Sequence, residues 1–283
     1  MPILVTGAGG QLGRALARQP AFADATFADR ARLDLTDADA IHRLVRDLRP
    51  SLVVNAAAYT AVDRAESEPD LAAAVNATAP GVLAEAATAA GARLVHVSTD
   101  YVYDNDLNRP LREDDPTRPR GVYARTKLAG EEVVRAAAPG AVVLRTSWVY
   151  GHDGANFVRT MRRLGAEREE LRVVADQIGA PTYADDLAAA IALIAEQGPG
   201  FPGGTYNYAG LGVASWYDFA AEIMRAYSLA CRVHPIRSEE YQTPAPRPHY
   251  SVLDLARARD AGLPLRHWRD AFAAFRQHGD NAP

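Results

Sequence analysis

Near its N-terminus the chain carries an apolar run, Ile3-Leu4-Val5, that leads into Thr6-Gly7-Ala8-Gly9-Gly10-Gln11-Leu12-Gly13 and then Arg14-Ala15-Leu16-Ala17. This reads as a strand, a glycine turn and a helix. Gly7, Gly10 and Gly13 stand three residues apart. That spacing lets the turn tighten, the backbone approach a bound group, and the helix pack closely on the strand. A helix that starts directly after such a turn presents free N–H groups and a partial positive charge, which suit a pyrophosphate. A glycine triplet alone is weak evidence, because tight turns use glycine too. The flanking strand and helix supply the context that turns it into a dinucleotide-binding signature.

The rest of the chain fits that beginning. Apolar, β-branched runs at 2–6, 25–29, 51–55, 93–98, 141–146 and 204–208 alternate with helical patterns at 11–18, 37–48, 69–90, 123–138 and 184–196. Pro50, Gly91 and Gly140 act as stop signals. Strands joined by helical crossovers give an α/β fold, a Rossmann-type doubly wound parallel sheet. After about residue 149 the alternation loosens, and glycines and prolines gather at 198–204 and 244–248. We therefore expect a dinucleotide-binding domain over 1–148, rejoined by a strand and helix near 204–227. A smaller C-terminal substrate-binding lobe is expected over 149–203 and 228–283.

Composition narrows the partners. A chain of 283 residues, 48% apolar and 23% charged, can bury a substantial core, and a net charge of −4 gives no bulk attraction to nucleic acid or an anionic membrane. The single cysteine, Cys231, excludes an intrachain disulfide and a cysteine-rich metal site. With the first strand starting at about residue 2 and no apolar run near the ~20 residues of a membrane helix, the expectation is a soluble, cytoplasmic protein.

Asp29 closes the second strand 22 residues after Gly7. That is close to the ~20-residue interval at which an acid meets an adenosine ribose. Arg30 follows, and its guanidinium suits a 2′-phosphate that Asp29 would repel, so NADPH and NADH are both expected. Asp34-Leu35 lies farther along the same edge, where it suits adenine, although Asp34 suits a helix N-cap equally well. The third strand ends in Asn55-Ala56-Ala57-Ala58-Tyr59-Thr60, whose small side chains let backbone and cofactor approach.

Of the 31 basic residues, only Lys127 is a lysine, four residues after Tyr123. On a helix the two share a face. Ser98-Thr99-Asp100-Tyr101 reaches the carboxyl edge of the sheet, where open α/β sheets bind ligands. Reduction of a carbonyl by hydride needs a proton at the oxygen. Tyr123 is the candidate donor, Lys127 the cation that lowers its pKa and binds the nicotinamide ribose, and Thr99 the group that polarises the carbonyl. Taken singly, Tyr123 is more often a helix-face aromatic and Thr99 a turn former; together they argue for catalysis.

With these residues the chain resembles the extended short-chain dehydrogenases/reductases, and within them the dTDP-4-dehydrorhamnose reductase family. The resemblance spans nearly the whole length. It rests on Gly-Ala-Gly-Gly-Gln-Leu-Gly at 7–13, Asn-Ala-Ala-Ala-Tyr-Thr-Ala-Val-Asp at 55–63, Ala-Glu-Ser-Glu-Pro at 65–69 and Val-Ser-Thr-Asp-Tyr-Val-Tyr at 97–103. Tyr-Ala-Arg-Thr-Lys-Leu-Ala-Gly-Glu at 123–131, Leu-Arg-Thr-Ser-Trp-Val-Tyr at 144–150 and Gln-Ile-Gly-Ala-Pro-Thr at 177–182 complete it. It implies reduction by NAD(P)H of the 4-keto group of dTDP-6-deoxy-L-lyxo-4-hexulose to dTDP-L-rhamnose. It further implies that Thr99 and Asp100 contact the sugar and that Trp148 walls its pocket. Gly10, Gln11, Leu12, Asp29, Asp34, Leu35, Ala58, Tyr59 and Thr60 are implied cofactor contacts. Arg247 is a candidate diphosphate clamp or an ordinary surface arginine.

One position departs from the pattern. Some members carry Glu in the first turn of the first helix as part of a metal-bridged dimer, and this chain has Ala15. A methyl group cannot coordinate Mg²⁺, so no metal is expected, none is required for the chemistry, and a monomer or a differently built homodimer is expected. A 4,6-dehydratase would need an acid where Tyr101 stands. An epimerase, and a non-catalytic regulatory subunit of methionine adenosyltransferase type, stay open as alternatives.

Overall fold

The computed structural model describes residues 2–103, 107 and 109–279. Six parallel strands form the main sheet in the order 204–207, 142–146, 93–99, 52–55, 3–6, 26–28. All lie within one residue of their expected positions. The chain runs outward from 3–6 to 26–28 and then back past 3–6 to 52–55, so the strand order reverses beside the glycine turn. A reversal of this kind opens a crevice at the carboxyl ends of the strands.

The strands read as continuous apolar runs because both faces are covered. Leu4, Val53, Leu94 and Val143 point into one layer, with the helices Ala38–Leu48 and Ala79–Ala89. Val5, Val54, Val95, Val142 and Leu144 point into the other, with Leu12, Leu16 and the helix Ala184–Gln197. The period of two along each strand thus divides one sheet between two cores. Helix Ala38–Leu48 shows the local logic: Ile41 and Val45 are buried, Asp37 caps its start by accepting from Ala40 N at 2.9 Å, and Arg49 ends it at φ 47° before Pro50.

The helix expected over 69–90 is interrupted. Pro69–Ala73 gives way to a π-helical stretch, Ala74–Thr78, before Ala79–Ala89 resumes. Pro80 has no N–H to offer the carbonyl of Asn76, so the normal ladder breaks there. The long helix Gly121–Ala137 packs into this break. A Cβ on Gly130 would stand 2.0 Å from the Asn76 carbonyl oxygen, so only glycine permits the approach.

The division of the chain between lobes differs from the sequence reading. Helix Ala184–Gln197, expected in the smaller lobe, packs on helix Gln11–Ala17 and closes the main sheet's core. Helix Trp216–Ala226, expected beside strand 204–207, instead packs on Phe157–Glu167 and on the parallel pair of strands Glu170–Val174 and Arg232–Ile236. The reason is aromatic content. Phe219, Trp268, Phe272 and Phe275 join Tyr150 and Tyr183 in a separate core, which gathers elements according to their apolar faces rather than chain order. The last four residues assigned to the smaller lobe lie outside the described residues.

Candidate active site

A cleft of about 860 Å³ runs along the carboxyl edge of the sheet, from the glycine turn to the smaller lobe. Of the cofactor candidates, Gly7, Gly10, Gln11, Leu12, Asp29, Arg30, Asp34, Leu35, Ala57, Ala58, Tyr59 and Thr60 line it, as do Thr99, Asp100, Tyr123, Lys127 and Trp148. Gly13 does not line it. A Cβ there would lie 2.2 Å from the Gly7 carbonyl oxygen, so Gly13 sets how closely the helix meets the turn. At Gly7, φ is +77° and a Cβ would meet the Ala57 nitrogen at 2.7 Å, which ties the turn to the end of the third strand. Gly10 heads helix Gln11–Ala17 with no side-chain cap and no acid in the first turn, so that end keeps its anion affinity.

At the far end of the first lobe, the Asp29 carboxylate accepts from Ala31 N and Arg32 N at 3.1 and 3.0 Å, holding a turn beside Arg30. Asp34 is not the helix N-cap, which is Asp37. Its Oδ1 accepts from the nitrogen and hydroxyl of Thr36, which hold its carboxyl below the ordinary range.

Tyr123 and Lys127 share the inner face of helix Gly121–Ala137, whose first turn is capped from outside: Glu66 Oε1 accepts from Val122 N at 2.7 Å. The Thr99 hydroxyl and the Tyr123 phenol line the same cleft, near enough for Thr99 to favour the phenolate, and Tyr101 packs edge-on against the Tyr123 ring at 5.5 Å. Thr99 Oγ1 also donates to Asp100 Oδ1 at 3.0 Å. Burial pushes the Asp100 carboxyl up to about 6, against the neighbouring Ser251 and Thr99 hydroxyls.

Burial pushes the Tyr123 phenol up to about 12, with the Thr99 hydroxyl opposing and Asp100 assisting. Lys127 is only 1% exposed, and its Nζ donates to the Val97 carbonyl at 2.7 Å. Burial lowers its own pKa to about 8, against the pull of Glu131. A phenol held near 12 keeps its proton at neutral pH, the state a proton donor needs.

Arg247 and Ala15 lie outside this constellation. Arg247 is off the cleft, with its guanidinium on Asp63 at 2.8 Å and on the Ala245 carbonyl at 3.1 Å. Ala15, on helix Gln11–Ala17, is fully buried in the core of the main sheet. Among the described residues no cluster of His, Cys, Asp or Glu could hold a metal ion, and no helix is long and apolar enough to cross a membrane.

Sequence reasoning missed Asn76 and Trp216. Asn76 is completely buried; its Oδ1 accepts from Tyr59 N at 2.8 Å, and its Nδ2 donates to Tyr59 O at 3.1 Å and Thr126 Oγ1 at 3.3 Å. It thereby joins the loop after the third strand to the helix of Tyr123 and Lys127. Pro80, inside an otherwise helical pattern, was the available sign. Trp216 lines the cleft beside Trp148, and Ser215 with Asp218 marked the helix start that carries it.

Comparison with known proteins agrees with this architecture. The family model described as the RmlD substrate binding domain matches residues 1–280. A dTDP-4-dehydrorhamnose reductase of Mycolicibacterium smegmatis is 48% identical over 95% of this chain and 83% of its own length. The crystal structure of a dTDP-4-dehydrorhamnose reductase from Clostridium acetobutylicum superposes with a TM-score of 0.94 at 40% identity, covering 98% of this chain and 99% of that one. A dTDP-4-dehydrorhamnose reductase from Bacillus anthracis, solved in complex with NADP, gives 0.93 at 38% identity over 98% and 99% of the two chains. The chain belongs to the RmlD family of dTDP-4-dehydrorhamnose reductases, within the extended short-chain dehydrogenases/reductases.

Proposed function

We propose that this protein reduces the 4-keto group of dTDP-6-deoxy-L-lyxo-4-hexulose with NADPH or NADH, giving dTDP-L-rhamnose. The observation that carries the reading is the convergence of Thr99, Asp100, Tyr123 and Lys127 on the cleft that begins at the glycine turn. The residues suit a dinucleotide. The uncapped helix start at Gly10 offers donors to a pyrophosphate, Asp29 and Arg30 on the cleft wall suit an adenosine ribose, and the small alanines at 57 and 58 suit close approach of the ring system.

The nicotinamide, when bound, supplies the hydride. Thr99 turns its one hydroxyl hydrogen from Asp100 to the ketone oxygen and aligns it, and Tyr123, protonated at neutral pH, delivers the proton as negative charge develops there. Lys127, fixed beside the Val97 carbonyl, orients the ribose next to the reacting ring and supplies positive charge to the phenolate left on Tyr123. Asp100 binds sugar hydroxyls, and Trp148 shields the site from water. Tyr101 occupies the place where a dehydratase would need a carboxylate, and it packs on Tyr123 rather than offering a base. Arg247, engaged with Asp63, is given no part in holding the diphosphate.

The test is the nicotinamide absorbance of the purified protein with the keto-sugar nucleotide and either cofactor. Stoichiometric oxidation of NADPH or NADH with formation of the 6-deoxy sugar supports the proposal. An epimerised product without net oxidation would replace it with the epimerase reading, and no consumption of either cofactor would favour a regulatory subunit.

A further inference from the structure

Trp148 follows the strand Val142–Thr146 with φ at +47°, a backbone conformation that a bulky side chain rarely adopts. Something must hold it there. One face of its ring meets the Gly179 backbone so closely that a Cβ on Gly179 would lie 2.9 Å from its Cε2 and Cζ2 atoms. The ring also stacks on Trp216, with centroids 3.7 Å apart and planes inclined by 12°. Trp216 is itself fixed. It is the first residue of the helix Trp216–Ala226, whose Ser215–Asp218 capping box is complete, and Phe157 leans on it at 4.7 Å. Both indoles are half-buried and both line the cleft.

We propose that Trp216 is a specificity-determining positioning residue that acts through Trp148. By stacking face to face on Trp148, it holds the strained indole in place, so the layered pair bounds the cleft with a rigid apolar surface that sets the deoxy-sugar ring with its ketone toward Thr99 and Tyr123. Strained backbone persists only where its surroundings over-determine it, and such positions gather at ligand clamps. Here the surroundings come from the smaller lobe, while the strained residue hangs from the main sheet. The smaller lobe thus determines the shape of the sugar pocket without supplying a reacting group. The inference rests on the proposed reductase activity.

The experiment compares Trp216→Leu, Trp216→Phe and Trp148→Ala for KM and kcat with dTDP-6-deoxy-L-lyxo-4-hexulose, for NADPH affinity, and for the exciton couplet in circular dichroism that stacked indoles produce. Trp216→Leu is expected to lose the couplet and to raise KM about tenfold, with NADPH affinity within about twofold of wild type. Trp216→Phe, which keeps a stacking ring, is expected to recover most of the KM. A KM for Trp216→Leu within twofold of wild type, while Trp148→Ala raises it, overturns the inference and leaves the reductase reading intact. A fall in kcat at unchanged KM, tracking lost stability, also overturns it by marking a purely structural role. Absence of turnover in the wild-type protein sinks the activity reading and this inference with it.

Discussion

Replacing Lys127 by methionine separates what this residue does for activity from what it costs the fold. Burial holds the ammonium at a pKa of about 8 against an ordinary 10.5. A difference of about 2.5 units corresponds to about 3 kcal/mol by which the charged form destabilises the folded state. The variant loses the hydrogen bond to the Val97 carbonyl, worth about 1 kcal/mol net. At pH 7, Lys127→Met is therefore expected to be more stable than wild type by about 2 kcal/mol, while turnover falls at least about a hundredfold. Below pH 8 both folded and unfolded lysine are protonated and the cost is fully present. Between pH 8 and 10.5 the folded lysine sheds its proton first. The unfolded state then binds more protons, and wild-type stability rises with pH. Above 10.5 only the hydrogen bond is left, so the two stability curves should cross, with wild type ahead by about 1 kcal/mol. Urea titrations of both proteins from pH 7 to pH 10.5 measure the difference and cancel every other titrating group. A variant less stable at pH 7, or a difference independent of pH, would refute the reasoning.

Three other substitutions probe the site and its support. Tyr123→Phe keeps the ring and removes the proton; turnover should fall by at least about 10²-fold with NADPH affinity unchanged, and residual activity above a tenth of wild type contradicts the donor role. Gly130→Ala forces a methyl group to within 2.0 Å of the Asn76 carbonyl oxygen. It should cost about 1–3 kcal/mol in urea unfolding and lower kcat as the helix of Tyr123 and Lys127 moves away; an unchanged midpoint would show that the helices are free to part. Glu131 is fully buried between Arg145 at 2.6 Å and Ser98 at 2.6 Å. Glu131→Gln leaves the Arg145 charge without its partner, with an expected loss of about 3–5 kcal/mol, most of it recovered in the double variant Glu131→Gln/Arg145→Met; failure of the double variant to recover would place the cost in packing rather than charge.

The main sheet and its crevice were legible because they are written in local chemistry. Each strand is a short apolar run, each crossover helix has its own periodicity, and the glycines at 7, 10 and 13 specify a turn that little else tolerates. The cofactor candidates could be found because they follow those strand ends in the chain. Tyr123 and Lys127 could be paired because a single helical turn separates them. Arg247 could not be placed, because its partner Asp63 lies 184 residues away and the choice between a diphosphate and a carboxylate depends on which one folding brings near. The Lys127 and Tyr123 pKa values were equally out of reach. A helical wheel puts the two groups on one face, but only the packed interior fixes how little water surrounds them.

The smaller lobe marks the same boundary. Its helices begin at visible caps such as Ser215, yet nothing in the chain order says that Trp216–Ala226 leaves the main sheet to join Phe157–Glu167, or that Trp216 comes to rest on Trp148. The sequence by itself determined the sheet, the dinucleotide turn and the kind of chemistry, since these depend on short-range spacing and residue type. The tertiary structure alone decided the stacking of Trp216 on Trp148, the desolvation of Tyr123 and Lys127 and the pairing of Arg247, since burial and contacts between distant segments do not exist until the chain has closed on itself.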